Sequence, residues 1–344
     1  MIKYNIFVWS SDYENFTGEG LLARCFVENY FKNKGTIKII SNNSDYILKK
    51  KYSFLKKKKY FNNFLTKYLY PFYGVILVWY YHLKGKQTCY VNYLPLWNFL
   101  IFIFLPKETI LGPITGNIYK DNFYNLNTFF RKIIFPIFYF ISLKIIFFKY
   151  KNVIFSTDNL KEIIPKNKIK YCLFNFCLLF YNKRKLTTKK IDFLFYIRKH
   201  PLKSNFFIKY MIERLALLNL KIVVVGDKFI YHNVKNYINL PRSALLKLLD
   251  KTRYSIISDD NFYSLFFLDC LSCNVISFVN KKLKFHKNKL FLCVKSLNFN
   301  DYRSSFKELI QIISFKNKIL KNRSFIKFFL KEKKKISYYI RFRY

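Results

Sequence analysis

Residues 255–278, SIISDDNFYSLFFLDCLSCNVISF, decide the fold of the second half of this chain. An apolar strand is predicted to end here at Ile257 and another to begin at Val275, and the apolar spacing between them predicts a helix over 262–273. Three aspartates lie between the two strands, with no cation among them: Asp259, Asp260 and Asp269. Carboxylates placed between two buried strands indicate a binding role. The other segments of the chain indicate which ligand they would bind.

Composition predicts a folded protein with a basic surface. The chain has 344 residues, enough for about two domains of ordinary size, and is 52% apolar and 21% aromatic, which excludes a disordered chain. Lys and Arg number 62 against 19 Asp and Glu, a formal net charge of +43. This excess predicts either a polyanionic partner, such as nucleic acid, acidic lipid or phosphorylated substrate, or a Lys-rich solvated surface.

Cysteine usage predicts buried thiols in a reducing compartment. The seven cysteines are scattered through apolar segments without a regular framework: Cys25, Cys89, Cys172, Cys177, Cys270, Cys273 and Cys293. The Cys270–Cys273 pair has no second pair or nearby histidine to complete a zinc site, so packing on one helix face is expected and no metal is predicted.

The most hydrophobic window is IIFPIFYFISLKIIFF, residues 133–148. It is shorter than the roughly 20 residues of a membrane span, and Pro136 and Lys144 interrupt it. A lysine near the middle of a bilayer costs about 2.5–3.5 kcal/mol on insertion scales. We therefore expect a buried or interface-lying helix, and no signal peptide is predicted at the N-terminus.

Strand and helix patterns alternate along the whole chain, which predicts an α/β protein with parallel sheets covered on both faces. The polar run 181–190 divides the pattern into two series. The prediction is two facing, doubly wound, Rossmann-like domains, 1–180 and 191–344 (the second with a basic C-terminal tail), with 41–60 as a loop or exposed helix start. Ligands of such sheets bind at the carboxyl ends of strands, and two facing domains make a cleft.

The second series resembles the nucleotide-sugar half of a GT-B glycosyltransferase. After its first strand the family shows Gly-Arg and a downstream Lys; here residues 195–204 read FYIRKHPLKS. Later the family has two acidic residues eight apart, before a helix that ends in Gly, and SDDNFYSLFFLDCLSCNV fills that place. Ile197 replaces the family's Gly, and Asn274 replaces the helix-ending Gly, Asn being the next best residue for a left-handed helix end.

The resemblance implies a site for a nucleotide-diphosphate sugar as donor substrate, with no further cofactor. Cations would bind the diphosphate: Arg198, Lys199 and Lys203. Polar acceptors would bind the ribose and sugar hydroxyls: Asp260 or Asn261, together with Asp269. Two alternatives stay open, that Asp260 only caps the helix and that Asp269 only makes structural hydrogen bonds, and with them an inactive relative of the family.

The first series supplies the acceptor side in this resemblance. A loop containing Gly18 and Gly20 is predicted after the first strand, and Asp12 or Glu19 is the candidate general base for an acceptor hydroxyl. The implied acceptor is a cell-surface glycan or a lipid-linked molecule. The implied place of work is the cytoplasm, peripheral on the inner face of the cytoplasmic membrane.

Three basic segments suit an anionic membrane surface: the Lys run 56–59, the apolar-basic helix 129–148 and the C-terminal KEKKKISYYIRFRY. The same C-terminal mixture of cations and aromatics also fits a nucleic-acid-binding protein. No recognised nucleic-acid module accompanies it, so no specific nucleic acid is predicted. An integral membrane protein is disfavoured by the interrupted apolar windows.

Overall fold

A computed structural model describes residues 4–14, 18–31, 34–42, 44–48, 53–57, 64–91, 94–116, 133–156, 158–174, 187–197, 205–258, 264–281, 293–314, 331 and 334–338. The chain divides into two compact units, Met1–Leu179 with Lys333–Tyr344, and Phe180–Glu332. The short helical stretch 334–338 therefore groups with the first unit, although the pattern of the sequence placed it in the second domain.

The first unit contains a six-stranded sheet in the order β4-β3-β2-β1-β5-β6. Its strands are β1 (Ile6–Ser10), β2 (Ile37–Ile40), β3 (Ser44–Leu48), β4 (Ser53–Lys57), β5 (Gln87–Val91) and β6 (Ile110–Leu111). β1 pairs in parallel with β2 on one side and β5 on the other, and β5 pairs in parallel with β6. The predicted doubly wound parallel sheet is thus confirmed for the centre of this unit.

The edge of this sheet corrects the prediction for residues 41–60. β3 pairs antiparallel with β2, and β4 pairs antiparallel with β3. A loop or helix start was expected there. Three of the five β3 residues are only half-buried. β3 lies next to the edge strand β4, and a strand that is solvated in this way lacks the apolar alternation by which strands are recognised in a sequence.

A helical layer covers one face of this sheet. It consists of α2 (Phe64–Leu83), α3 (Phe99–Phe104) and α4 (Phe135–Lys149), while α1 (Gly18–Tyr30) connects β1 to β2. Phe7 and Trp9 on β1 share one core cluster with buried residues of all three helices in the layer. A Cβ on Gly74 would lie 2.3 Å from the indole nitrogen of Trp9, so α2 approaches the sheet closely because this position has no side chain.

A small parallel pair follows in the first unit, β7 (Val153–Ile154) with β8 (Cys172–Leu173). Two 3₁₀ helices, Asp158–Glu162 and Lys166–Tyr171, lie between them. This connection therefore consists of 3₁₀ turns and contains no α-helix within the described residues 158–174. Pro165, which has no backbone N–H to donate, separates the two short helices.

The second unit contains a fully parallel six-stranded sheet in the order β11-β10-β9-β12-β13-β14. Its strands are β9 (Ile191–Tyr196), β10 (Ile222–Val225), β11 (Val234–Tyr237), β12 (Thr252–Ile256), β13 (Ile276–Asn280) and β14 (Val294–Leu297). Its helices are α5 (Phe206–Ala216), α6 (Arg242–Asp250), α7 (Leu265–Ser272) and α8 (Tyr302–Ser314). Counted from β9, the strand order is 3-2-1-4-5-6, the order of the Rossmann fold. The predicted second doubly wound sheet is confirmed.

Part of the predicted linker, residues 187–190, is attached to the second unit. The Lys189 ammonium is buried and donates to the carbonyls of Cys273, at 2.8 Å, and of Leu249, at 3.5 Å. The Thr187 hydroxyl donates to the Asp250 carbonyl at 2.6 Å. Burial lowers the pKa of Lys189. Residues 181–186 lie outside the described part of the chain.

Candidate active site

The second sheet has a topological switch point between β9 and β12. After β9 the chain continues to β10 on one side, and after β12 it continues to β13 on the other. The carboxyl ends of two such strands open a crevice where ligands of doubly wound sheets bind. The segment after β9 carries Arg198, Lys199 and Lys203, and the segment after β12 carries Asp260 and Asn261. Residues 198–204 and 259–263 are outside the described residues, but both segments start at this switch point.

Backbone hydrogen bonds join the ends of β9, β10 and β11. The Ile197 N–H donates to the Val225 carbonyl at 2.8 Å, and the Gly226 N–H donates to the Tyr237 carbonyl at 2.7 Å. Gly226 has φ +95°, and a Cβ there would lie 2.0 Å from the Ile197 carbonyl oxygen. Only glycine fits this close approach. The chain after β10 can therefore pass close to the end of β9 because this position has no side chain.

Asp269, a predicted donor ligand, has a partner within its own unit. Its side chain is 3% exposed, and its two carboxylate oxygens accept from the Arg242 guanidinium, at 3.1 Å from Nε and 2.6 Å from Nη2. This bidentate ion pair joins the first residue of α6 to α7. The sequence reasoning missed Arg242, because an arginine 27 residues away carries no local signal of the pairing. A contact of Asp269 with donor hydroxyls stays a prediction.

The ends of α7 settle two expectations from the sequence. Ser264 is the N-cap, and its hydroxyl accepts from the Phe267 N–H at 3.3 Å. The alternative in which Asp260 caps this helix is therefore wrong, since the helix begins later than predicted. Asn274 has φ +54° directly after the helix, so the left-handed helix end expected at this asparagine is confirmed. Cys270 and Cys273 are buried thiols on this helix, as predicted.

The carboxyl end of β1 in the first unit is polar and buried. Ser10, Ser11 and Asp12 follow one another there and are 0%, 2% and 9% exposed. The Glu14 carboxylate accepts from the Ser41 and Tyr46 hydroxyls, each at 3.1 Å. These contacts tie the turn after β1 to the end of β2 and to β3. Asp12 therefore lies buried in the same turn, two residues before Glu14.

Two buried oxygens in this polar region lack a hydrogen-bond partner among the described residues. They are Oγ of Ser11, directly after β1, and Oδ1 of Asn42, just beyond β2. The two residues are adjacent, because the Asn42 N–H donates to the Ser11 carbonyl at 3.3 Å. A buried polar atom without a partner costs about 1–3 kcal/mol. Such atoms at strand ends are suited to hold a polar ligand, and no sequence motif singled them out.

The predicted glycine loop is a helix instead. α1 begins at Gly18, so Gly18 and Gly20 lie in its first turn, and Gly20 is buried. Glycine lowers helix propensity, which favours a loop on sequence grounds, but packing of the helix overrides it here. Glu19 is exposed in the same turn, where the positive end of the helix dipole favours a carboxylate. Of the two candidate bases, only Asp12 is buried at the strand end.

Comparison with known proteins finds similar folds but no sequence family. No protein-family profile and no curated protein sequence matches the chain. Among solved structures, TarM is 12% identical with a TM-score of 0.45, over 86% of this chain and 57% of that one. The pneumococcal O-GlcNAc transferase GtfA, solved with UDP and GlcNAc, is 10% identical with a TM-score of 0.49, over 89% and 66%. The chain thus spans less than two thirds of either protein.

An alpha-glucosyltransferase, solved with UDP-glucose and DNA containing an abasic site, is 12% identical with a TM-score of 0.45. The match covers 97% of this chain and 93% of that one. The class of protein that the motifs of residues 195–204 and 258–275 resemble is thus found among the structural neighbours. At these TM-scores the likeness assigns no substrate and no residue role to this chain.

Proposed function

We propose that this chain is a glycosyltransferase that moves a sugar from a nucleotide-diphosphate sugar to a glycan or lipid-linked acceptor. One observation carries the proposal. The second sheet has the Rossmann strand order, and the cationic and acidic segments that the sequence singles out follow the two strands that flank its switch point. The sequence motifs and the topology therefore indicate the same place, the carboxyl ends of β9 and β12.

The proposed donor site divides its charges according to the chemistry of the donor. The diphosphate gains negative charge as it leaves, so cations after β9 stabilise the transition state more than the ground state. Arg198 offers a bidentate fork, and Lys199 and Lys203 offer point charges. Asp260 or Asn261 after β12 would accept hydrogen bonds from hydroxyl groups. The carboxylate of Asp260 follows β12 and the cations follow β9, so the carboxylate need not repel the phosphates that the cations bind.

The proposed acceptor site is the polar cluster at the carboxyl end of β1. Asp12 is the general base: the acceptor oxygen attacks the anomeric carbon, the bond from that carbon to the diphosphate breaks, and Asp12 takes the hydroxyl proton. The unpartnered oxygens of Ser11 and Asn42 would accept hydrogen bonds from other acceptor hydroxyls. Glu19 is the alternative base, and its exposed place on α1 makes it the weaker candidate.

Nucleotide binding tests this proposal. The chain is screened by thermal shift against uridine, guanosine and adenosine diphosphates, their sugars and the free nucleosides. A ligand at 100 times its Kd adds about 2.7 kcal/mol of stability. Arg198→Ala and Lys203→Ala should each weaken diphosphate binding and spare nucleoside binding. The matched control is Lys247→Ala, an exposed cation in the last turn of α6. Equal loss with all three variants, or no shift with any nucleotide, contradicts the donor site.

We further propose that the enzyme works peripherally on an anionic membrane surface, in the cytoplasm, where lipid-linked acceptors are reached. The net charge of +43 supports this, since each Lys or Arg near such a surface adds about 1 kcal/mol. Binding should be lost in high salt and be absent with neutral lipid. Tight binding of single-stranded DNA at moderate salt, with no binding of lipid, would instead indicate that the positive charge serves nucleic-acid binding.

A further inference from the structure

The first unit exposes a stripe of apolar side chains along α2. Leu69, Ile76 and Leu83 are 63%, 65% and 78% exposed, and Tyr73 and Tyr80 on the same stripe are 41% and 49% exposed. These positions are three or four residues apart and therefore share one face of the helix. The opposite face, which includes Val75 and Val78, is buried in the core of the sheet. α2 is thus apolar both inside and outside.

The stripe continues onto α3 and α4. The Trp79 indole N–H donates to the Phe104 carbonyl at 2.6 Å, which joins α2 to the end of α3. The Trp97 ring stacks on Phe135 at the start of α4, with ring centroids 5.8 Å apart. Phe104 is 51% exposed, and Phe140 and Phe148 on α4 are 59% and 89% exposed. We call the exposed apolar side chains of these elements, including Trp97, the outer face of α2, α3 and α4.

Such a surface needs an explanation. Soluble monomers rarely expose contiguous apolar patches larger than a few hundred Å². Helices that are apolar all round are normally enclosed on every side. The inner sides of these three helices already cover the sheet, so burial of the sheet does not account for their outer side.

The charge around this face restricts what can cover it. Residues 64–107 and 133–156 contain no Asp or Glu, and the Glu108 carboxylate lies 3.6 Å from His82 Nε2 in the last turn of α2. The Lys84 ammonium lies 4.1 Å from the centroid of the Tyr80 ring, and the Lys144 ammonium lies 4.4 Å from that of Phe140. These ammonium groups make cation–π contacts with exposed rings, and exposed Trp and Tyr are typical of membrane interfaces. Two copies of the face would set cations against cations.

We propose that the outer face of α2, α3 and α4 docks on the surface of a bilayer that contains anionic lipid, with its apolar side chains among the headgroups. This inference rests on the peripheral association proposed above and assigns that association to one surface. It adds partial insertion of apolar side chains to the electrostatic contact. Among the residues that the structure describes, no helix is long and apolar enough to cross a bilayer.

The test uses the full chain and vesicles of phosphatidylcholine with phosphatidylglycerol. The triple variant Leu69→Gln, Ile76→Gln and Leu83→Gln removes apolar area but no charge. We expect its lipid partition coefficient to fall about hundredfold, equivalent to about 2.8 kcal/mol at 1.4 kcal/mol per factor of ten. The control variant is Leu217→Gln, Leu218→Gln and Ile230→Gln, three exposed aliphatic residues of the second unit. Its partition coefficient should match that of the wild type.

Tryptophan fluorescence gives a second readout. Of the chain's three tryptophans, Trp9 is fully buried, whereas Trp79 and Trp97 lie on the outer face and are 42% and 37% exposed. Emission should shift to shorter wavelength when anionic vesicles are added, since these two rings leave water. The shift should disappear in the α2 triple variant and persist in the control.

Three outcomes overturn the proposal. Equal lipid binding by wild type and the α2 variant would leave a charge-only contact elsewhere. Equal loss in both triple variants would mean that the effect is not specific to this face. Absence of vesicle binding by the wild type also overturns it. This holds whether the wild type is a monomer or a dimer that the α2 variant dissociates. The nucleotide thermal shift, measured on the same samples, is independent: lipid binding without that shift would remove only the glycosyltransferase proposal.

Discussion

Replacement of Asp269 by asparagine should destabilise the second unit, because it breaks the ion pair that joins α6 to α7. The carboxylate is almost fully buried and receives two charge-assisted hydrogen bonds from Arg242. Asparagine has nearly the same shape but carries no charge, and its amide nitrogen cannot accept a hydrogen bond. One of the two guanidinium contacts is then lost and the other is weakened.

The magnitude follows from burial. Removal of one partner from a fully buried ion pair costs about 3–5 kcal/mol. The Arg242 side chain is 32% exposed, so water can partly solvate the cation that is left, and we expect about 2–3 kcal/mol. In a domain of about 150 residues each kcal/mol lowers the melting temperature by about 2–4 °C, which gives a decrease of about 4–12 °C.

The assay is thermal and urea unfolding, with nucleotide affinity measured by calorimetry on the same proteins. Asp192→Asn is the matched control, because its longer ion pair with Arg253, at 3.7 Å, has a half-exposed cation and should be worth less than about 1 kcal/mol. The amide oxygen of asparagine can still accept from the Lys221 N–H, as the Asp192 carboxylate does at 2.9 Å. Asp269→Leu combined with Arg242→Met should recover most of the lost stability. An unchanged melting temperature together with a tenfold weaker nucleotide affinity would refute the reasoning and make Asp269 a donor ligand first.

Three further predictions concern single positions. Gly226→Ala should unfold the second unit or leave it insoluble, since its Cβ would overlap a backbone oxygen, whereas Gly85→Ala, at φ +65° in open space, should cost about 1–2 kcal/mol in the same melting assay. Burial lowers the pKa of Lys189 in the folded state, so the unfolded chain binds more protons between that lowered pKa and about 10.4. The free energy of unfolding that this lysine contributes should therefore rise with pH across this window. Lys189→Met should remove this rise, as measured by unfolding at several pH values. Asp12→Asn should lower the rate of sugar transfer about 10²–10⁴-fold at unchanged donor affinity, with Glu19→Gln close to wild type; the reverse ranking would make Glu19 the base.

Local pattern was sufficient for the central elements of both units. Continuous apolar runs such as 193–197 and 222–225 predict buried parallel strands, and helical spacing predicts α5, α6 and α7 to within a few residues. Asn274 as a left-handed helix end was readable in the same way, because that preference belongs to the residue itself. Where burial on both faces leaves a strong apolar signal, a short window of sequence contains the information.

Strands at or near the sheet edges were not predicted by local sequence pattern. β3, β4 and β11 lie at or next to the sheet edges, and β11 has the sequence VKNY, with one buried residue in four. The glycines of α1 favoured a loop although the helix begins at Gly18. In each case local propensity was weak and the contacts formed with distant parts of the chain decided the structure.

For the candidate site, the sequence by itself determined which residue types follow which strands: the cations of 198–203 after β9 and the polar acceptors of 260–261 after β12. The tertiary structure alone decided that β9 and β12 are neighbours at a switch point and that Asp269 meets Arg242. It also decided that Ser11 and Asn42 lie side by side, each with a buried oxygen that has no hydrogen-bond partner among the described residues. The reason is physical. Residue chemistry and periodicity act over a few positions, whereas strand order and buried pairs arise from contacts between residues that are 27 or more positions apart, which only the packed chain brings together.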